Sequence, residues 1–236
     1  MFDGASEEHG EMPVLNWCID TETQRAAHNF PIRIYTHEPE APWAGRFCDL
    51  ESRRHRIRQI DDFPPQPWFC SPDQIIAEFR ATHYLSALVL TVFWGKMWRT
   101  ADRYIYRQHQ LQEIHTALQQ CAESIQHTQS IQEAWDLLRR ELGWTSVINS
   151  KVLHFLCRAL GFEQNPPVPI DGRVIRGYVW PGFRIGIPPE HRSRVLDWEG
   201  DEISCYCRYM TAIIEWAEAR GWTTTQVEAT LFAENQ

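Results

Sequence analysis

Asn149-Ser150-Lys151-Val152-Leu153-His154-Phe155-Leu156 and Pro167-Val168-Pro169-Ile170-Asp171-Gly172-Arg173-Val174 are the two stretches on which the fold turns. The spacing of Val152, Phe155, Leu156, Ala159 and Leu160 predicts an amphipathic helix that opens at Lys151. Asn149 tolerates a left-handed backbone and Ser150 can cap a helix, so a tight turn is expected just before the lysine. Twenty residues later Asp171 stands where another helix, Arg173 to Trp180, should begin. The prolines ahead of it fix φ and stiffen the approach, delivering the carboxylate to one place. An amine and a carboxylate are thereby expected at neighbouring helix N-termini.

Outward from these stretches the chain reads as helix. Ser71-Pro72-Asp73 is a start signal, a cap followed by proline at the first helical position. Residues 84–94 are apolar on every face, which predicts a helix buried all round, interrupted at Gly95 and continued by Lys96 to Arg107. Leu111, Ile114, Leu118, Ala122 and Ile125 form one stripe, and Ile131, Trp135, Leu138 and Leu142 another. Tyr206, Tyr209, Met210, Ile213, Ile214 and Ala217 predict a C-terminal helix stopped by Gly221, and Thr225-x-x-Glu228 predicts a capping box for the last one. Before Ser71 the pattern changes. Residues 1–50 are acidic and rich in proline, with a short strand expected at Ile32 to Tyr35, and Phe63-Pro64-Pro65-Gln66-Pro67-Trp68 must be extended. The basic run Arg53 to Arg58 reads as a solvated face. The class is mostly α: residues 1–70 form an extension wrapping the core, and residues 71–236 form a helical domain.

A chain of 236 residues can hold one large domain or two small lobes around a cleft. No run is long enough to span a bilayer, and the acidic start lacks the basic and apolar parts of a signal peptide, so a cytoplasmic location is expected. The seven cysteines show no C-x-x-C spacing, which favours reduced, buried thiols over a disulfide framework or a metal site. The net charge of −8 argues against nucleic acid as a partner until its distribution is read. Residues 1–51 carry ten acids against three bases, and residues 195–236 carry eight against two. Between 146 and 194 the balance reverses, with Lys151, Arg158, Arg173, Arg176, Arg184, Arg192 and Arg194 against Glu163, Asp171 and Glu190. A local basic zone on an acidic protein suits an enzyme that touches DNA at one face. No phosphate-binding glycine loop, nucleophile elbow or H-E-x-x-H occurs, so nucleotide hydrolysis, acyl transfer and zinc proteolysis have no support.

The lysine-to-aspartate segment resembles that of the Ogg-type DNA glycosylases of the helix-hairpin-helix superfamily, sharpest over 149–176 and extending over 71–236. The Val-Pro-x-Asp element of that family is matched by Val168-Pro169-Ile170-Asp171. The resemblance implies a degenerate helix-hairpin-helix fold of two lobes around a cleft, acting as a monomer on double-stranded DNA with modified bases. Base excision would leave an abasic site. It implies catalytic roles for Asp171 and Lys151. The carboxylate would stabilise positive charge on the sugar, and the amine would attack C1′ or only position a partner, both alternatives staying open. At the start of a helix that amine would sit in a field lowering its pKa. The sequence departs from the family where Val147 and Asn149 replace expected hairpin glycines, so the phosphate grip there is remodelled. Asn149, Ser150, Arg173, Arg176 and Arg184 are the candidate DNA contacts. A flipped base needs an aromatic-lined pocket, for which Phe93, Trp94, Gly95 and Trp98 are candidates, with Trp180 and His154 beside them. Core packing is the competing role for each of these. No cofactor, metal or iron–sulfur cluster is expected. Compact prokaryotic Ogg-fold proteins, among them the Brig-type antiviral enzymes, are similar. Glucosylated hydroxymethylcytosine in phage DNA is therefore the preferred substrate, with oxidised guanine as runner-up. An inactive DNA-binding module or a helical protein-interaction domain is the alternative from a different class.

Overall fold

The computed structural model describes residues 13–17, 46–48, 68–95, 111–170 and 202–234. Among the described residues there are seven helices and one pair of short strands. Strand β1 (Arg46–Cys48) runs antiparallel to β2 (Trp68–Cys70), with Phe47 opposite Phe69. Neither strand was expected from periodicity, because three residues are too few to show alternation. The expected strand at 32–35 and the helix continuing through Arg107 lie outside the described residues.

Helix α1 (Pro72–Arg80) begins as its sequence predicts. Pro72 occupies the first turn and the Ser71 hydroxyl accepts from the Gln74 N–H at 3.1 Å. Helix α2 (Tyr84–Trp94) is buried on all sides, with Leu85 alone of its residues partly exposed, and ends at Gly95. Helices α3 (Leu111–Thr128) and α4 (Ile131–Leu142) form an antiparallel pair whose facing stripes are the ones read above. Ser130 caps α4 by accepting from the Glu133 N–H. Gly143 ends it at φ +61°, a left-handed conformation that a side chain would oppose.

Helix α5 (Ser146–Ala159) packs against α1, α2, α3 and α4. It is the centre of the fold. Eleven of its fourteen residues are buried, so its polar side chains must find partners inside the protein. It begins five residues earlier than the sequence suggested. Thr145 is extended, and the Ile148 and Asn149 N–H groups both bond to its carbonyl. With valine and asparagine at 147 and 149 nothing in this turn requires a left-handed backbone, and extending the helix backwards buries Ile148. The link between α4 and α5 is therefore only Gly143-Trp144-Thr145.

Helix α6 (Glu202–Glu218) packs on α4 and on α7 (Thr224–Glu234). The capping box of α7 is Thr223 with Gln226, not Thr225 with Glu228. The Thr223 hydroxyl accepts from the Gln226 backbone N–H at 3.2 Å and the Gln226 side-chain amide oxygen accepts from the Thr223 N–H at 2.8 Å. Glu228 is buried, which is why the register two residues earlier wins.

The segment 13–17 docks on this core. Leu15 is buried, the Asn16 N–H donates to the Gln129 carbonyl, and the Trp17 indole donates to the Asn165 carbonyl at 3.2 Å. Cys70, Cys121, Cys157 and Cys207 are free and buried, and burial raises the Cys121 and Cys157 thiols. Among the described residues no helix is long and apolar enough to cross a membrane.

Candidate active site

Pro166-Pro167-Val168-Pro169-Ile170 is a buried tape with, among the described residues, no backbone partner in a helix or sheet. Three of its five residues are prolines and have no N–H. Five of its remaining polar groups are met by side chains of three helices. From α5, the His154 Nδ1 lies 2.7 Å from the Pro167 carbonyl and the Ser150 hydroxyl accepts from the Ile170 N–H at 3.0 Å. From α6, the Tyr206 hydroxyl donates to the Val168 carbonyl at 2.8 Å, and the Val168 N–H points at the Met210 sulfur at 3.4 Å. From α7, the Thr224 hydroxyl reaches the Pro166 carbonyl at 3.5 Å.

The tape thus ends against the second turn of α5. Ser150, the residue before Lys151, holds Ile170, the residue before Asp171. Lys151 is 4 % exposed and follows Ser150 by about 100° around the helix. It shares a face with Phe155, one turn on, whose ring meets the edge of Trp94 at 5.0 Å between centroids. In the chain the lysine thus follows the residue that holds the end of the tape, and precedes by one turn the residue that packs on the end of α2. It is not at the helix N-terminus. The dipole argument fails for it, since that field falls off within the first turn. Asp171 itself lies outside the described residues, as do Trp98, Arg173, Arg176, Trp180 and Arg184.

A carbonyl can only accept, so His154 must carry its proton on Nδ1. Burial, and next the Arg158 guanidinium, pull this imidazole down from 6.5 to about 3, against the smaller opposing effect of the Pro167 bond. It is neutral at physiological pH. Tyr206 is held by Trp135, stacked at 4.6 Å, and burial pushes its phenol well above the usual value, so it remains a donor.

Residues 71–232 match the family described as "Putative 8-oxoguanine DNA glycosylase OGG-like protein". The chain belongs to the OGG-like family. Neither the curated proteins nor the solved structures yield a match. Membership makes the chain one of the OGG-like DNA glycosylases, with DNA as the partner. The docked segment 13–17 and the strand β1 lie outside the matched residues.

Within this OGG-like chain the side chains named from sequence divide by position. Ser150 and His154 bond to the tape, Lys151 is buried next to Ser150 in α5, and Trp94 packs on Phe155 of the same helix. Phe93 is buried in the core, and Gly95 is the partly buried cap of α2 at an ordinary φ of −73°. Asn149 and Ser150, expected at an exposed hairpin, are fully buried within α5 because that helix starts at Ser146. Tyr206, Met210 and Thr224 were not singled out from the sequence. A tyrosine and a methionine on an apolar stripe carry no mark of a hydrogen-bonding role.

Two outcomes follow for the buried polar groups. Well above pH 6.5 the imidazole of His154 is neutral in folded and unfolded chains alike and contributes no pH dependence. Below it the unfolded chain takes up a proton that the folded one refuses until about pH 3, so stability falls as pH drops. The loss from this group between pH 7 and pH 5 is about 2 kcal/mol, at roughly 1.4 kcal/mol per pH unit. Urea unfolding of the wild type and of His154→Asn across that range measures it; parallel pH curves would exclude His154 as the source. Asn149, in contrast, has no partner among the described residues for either amide atom. Asn149→Leu, close in shape, is expected to raise stability by about 1–2 kcal/mol, since a buried unpaired amide is costly. A lower urea midpoint would show that the amide is needed by the fold.

Proposed function

We propose that the protein flips a modified base out of duplex DNA and cleaves its N-glycosidic bond, leaving an abasic site, with Asp171 and Lys151 as the reacting pair. One observation carries the pairing: the 3.0 Å bond between the Ser150 hydroxyl and the Ile170 N–H, which ties the chain neighbour of one residue to the chain neighbour of the other. As the bond from C1′ to the base breaks, its electron pair leaves with the base and the sugar becomes cationic. A carboxylate beside it stabilises that charge, and water or the Lys151 amine adds to C1′. The base takes up a proton on leaving. Trp94, across Phe155 from the lysine, supplies an aromatic wall for the extruded base, and Arg173, Arg176 and Arg184 hold phosphates.

For the substrate, glucosylated hydroxymethylcytosine of phage DNA is the preferred reading, supported by the resemblance to antiviral glycosylases and implying defence in the cytoplasm. The family's description favours oxidised guanine as the second reading. In this view residues 1–70 form an extension wrapping a monomeric domain, as the docking of Leu15 and Trp17 supports. The deciding experiment incubates the protein with glucosylated phage DNA, with duplexes carrying 8-oxoguanine and with unmodified DNA, and counts abasic sites. Abasic sites in the glucosylated DNA alone would support the first reading, and in the 8-oxoguanine duplex alone the second. No excision from any modified DNA would favour an inactive DNA-binding module.

A further inference from the structure

We infer that Ser150, His154 and Tyr206 are positioning residues that hold the Pro166–Ile170 tape so that Asp171 meets the sugar, and that this side-chain clamp, not the backbone, sets the site's geometry. The inference rests on the assignment of Asp171 above. An extended segment in a sheet is fixed by its ladder, and a helical one by its own turns. Among the described residues the tape has neither. Its prolines restrict their own φ and the ψ of the residues before them, which stiffens the segment without fixing where it lies. What anchors it is a set of five side-chain contacts arising from three helices.

The contacts differ in what they control. Tyr206 and His154 grip successive carbonyls in the middle of the tape, at 2.8 and 2.7 Å. Ser150 grips the last amide before the aspartate, and its own hydroxyl proton is directed at the Val147 carbonyl 3.3 Å away. That second bond orients the lone pair towards Ile170. Loss of the serine oxygen removes the restraint nearest Asp171 and leaves a buried N–H unpaired. Loss of the tyrosine hydroxyl leaves the ring stacked on Trp135 and removes only the grip on Val168. A carboxylate displaced by an ångström or so loses much of its effect on a developing cation, by up to about a hundredfold in rate.

The test needs no knowledge of the substrate base. Affinities are measured for two duplexes, one bearing a pyrrolidine in place of a nucleotide, which is protonated and mimics the cationic sugar, and one bearing a neutral tetrahydrofuran. The wild type is expected to prefer the pyrrolidine duplex by about a hundredfold, and Asp171→Asn to lose that preference. Ser150→Ala and Tyr206→Phe are expected to reduce the preference at least about tenfold with tetrahydrofuran affinity unchanged, and Ser150→Thr, which restores the oxygen, to recover most of it. Should Ser150→Ala fail to fold, Tyr206→Phe carries the same reading. A full preference retained in Tyr206→Phe or in folded Ser150→Ala, while Asp171→Asn abolishes it, overturns the clamp and leaves Asp171 in place. No preference in the wild type, or an undiminished one in Asp171→Asn, overturns the assignment of Asp171 and the clamp with it.

Discussion

Asp171→Asn is expected to lower single-turnover base excision by about a thousandfold or more, roughly 4 kcal/mol of transition-state stabilisation, with duplex affinity within about threefold of the wild type. Asparagine keeps the volume and the capacity to cap a helix but not the charge. The charge matters only once the sugar becomes cationic, so the loss falls on the chemical step and spares binding. Thermal unfolding in parallel separates this from a purely capping role, which would lower the melting temperature and leave the rate per folded molecule intact. Wild-type excision by the asparagine variant would remove Asp171 from the mechanism.

The second large effect concerns Lys151. Lys151→Gln is expected to slow excision by about a hundredfold, whether the amine attacks C1′ or only orients the reacting groups. Borohydride added during turnover tells these apart. If the amine attacks, the base departs, the sugar opens and an imine links Lys151 to C1′; hydride reduces it to a stable amine, and the adduct disappears in the glutamine variant. The expected result is efficient formation of abasic sites with little strand nicking and little adduct, because the side chain is nearly buried within α5 and not raised at the helix tip. A strong adduct would show instead that the amine reaches the sugar. Unchanged excision in Lys151→Gln would exclude both roles.

Most of the helical layout was legible because burial writes a period into the sequence. Ile114, Leu118, Ala122 and Ile125 repeat at the spacing of a helix face, and the structure buries all four. Ser71-Pro72 marked a start because a cap and a proline act through two or three bonds. The start of α5 was misread, since Asn149 and Ser150 have the chemistry of a turn. Their burial against four other helices outweighs that local preference. The departure at Val147 and Asn149 from the expected glycines was the available signal, and it pointed to helix. The Thr223 cap was missed in the same way, among three consecutive threonines that only the burial of Glu228 distinguishes. Of the candidate site, the lysine and the end of the tape were legible as a family pattern. The clamp was not, because Tyr206, Met210 and Thr224 act on an aperiodic segment from distant parts of the chain. The docking of Leu15 and Trp17 was invisible for the same reason: two apolar residues in an acidic stretch show no period.

The separations across the clamp bear on when the protein becomes competent during its synthesis. Ser150 and His154 lie 20 and 13 residues from their tape partners, whereas Tyr206, Met210 and Thr224 lie 38, 42 and 58 residues away. A nascent chain emerging from its N-terminus can complete α1 to α5, and their mutual packing, before any of the last three exists. Contacts of long separation also close late in refolding, after helical ones. The helical frame therefore forms first, with the lysine already in it, and the tape up to Ile170 gains its full set of contacts only when the C-terminal helices dock. Secondary structure should recover before activity on dilution from denaturant, and the interval between the two is the time the last two helices need to close over the tape.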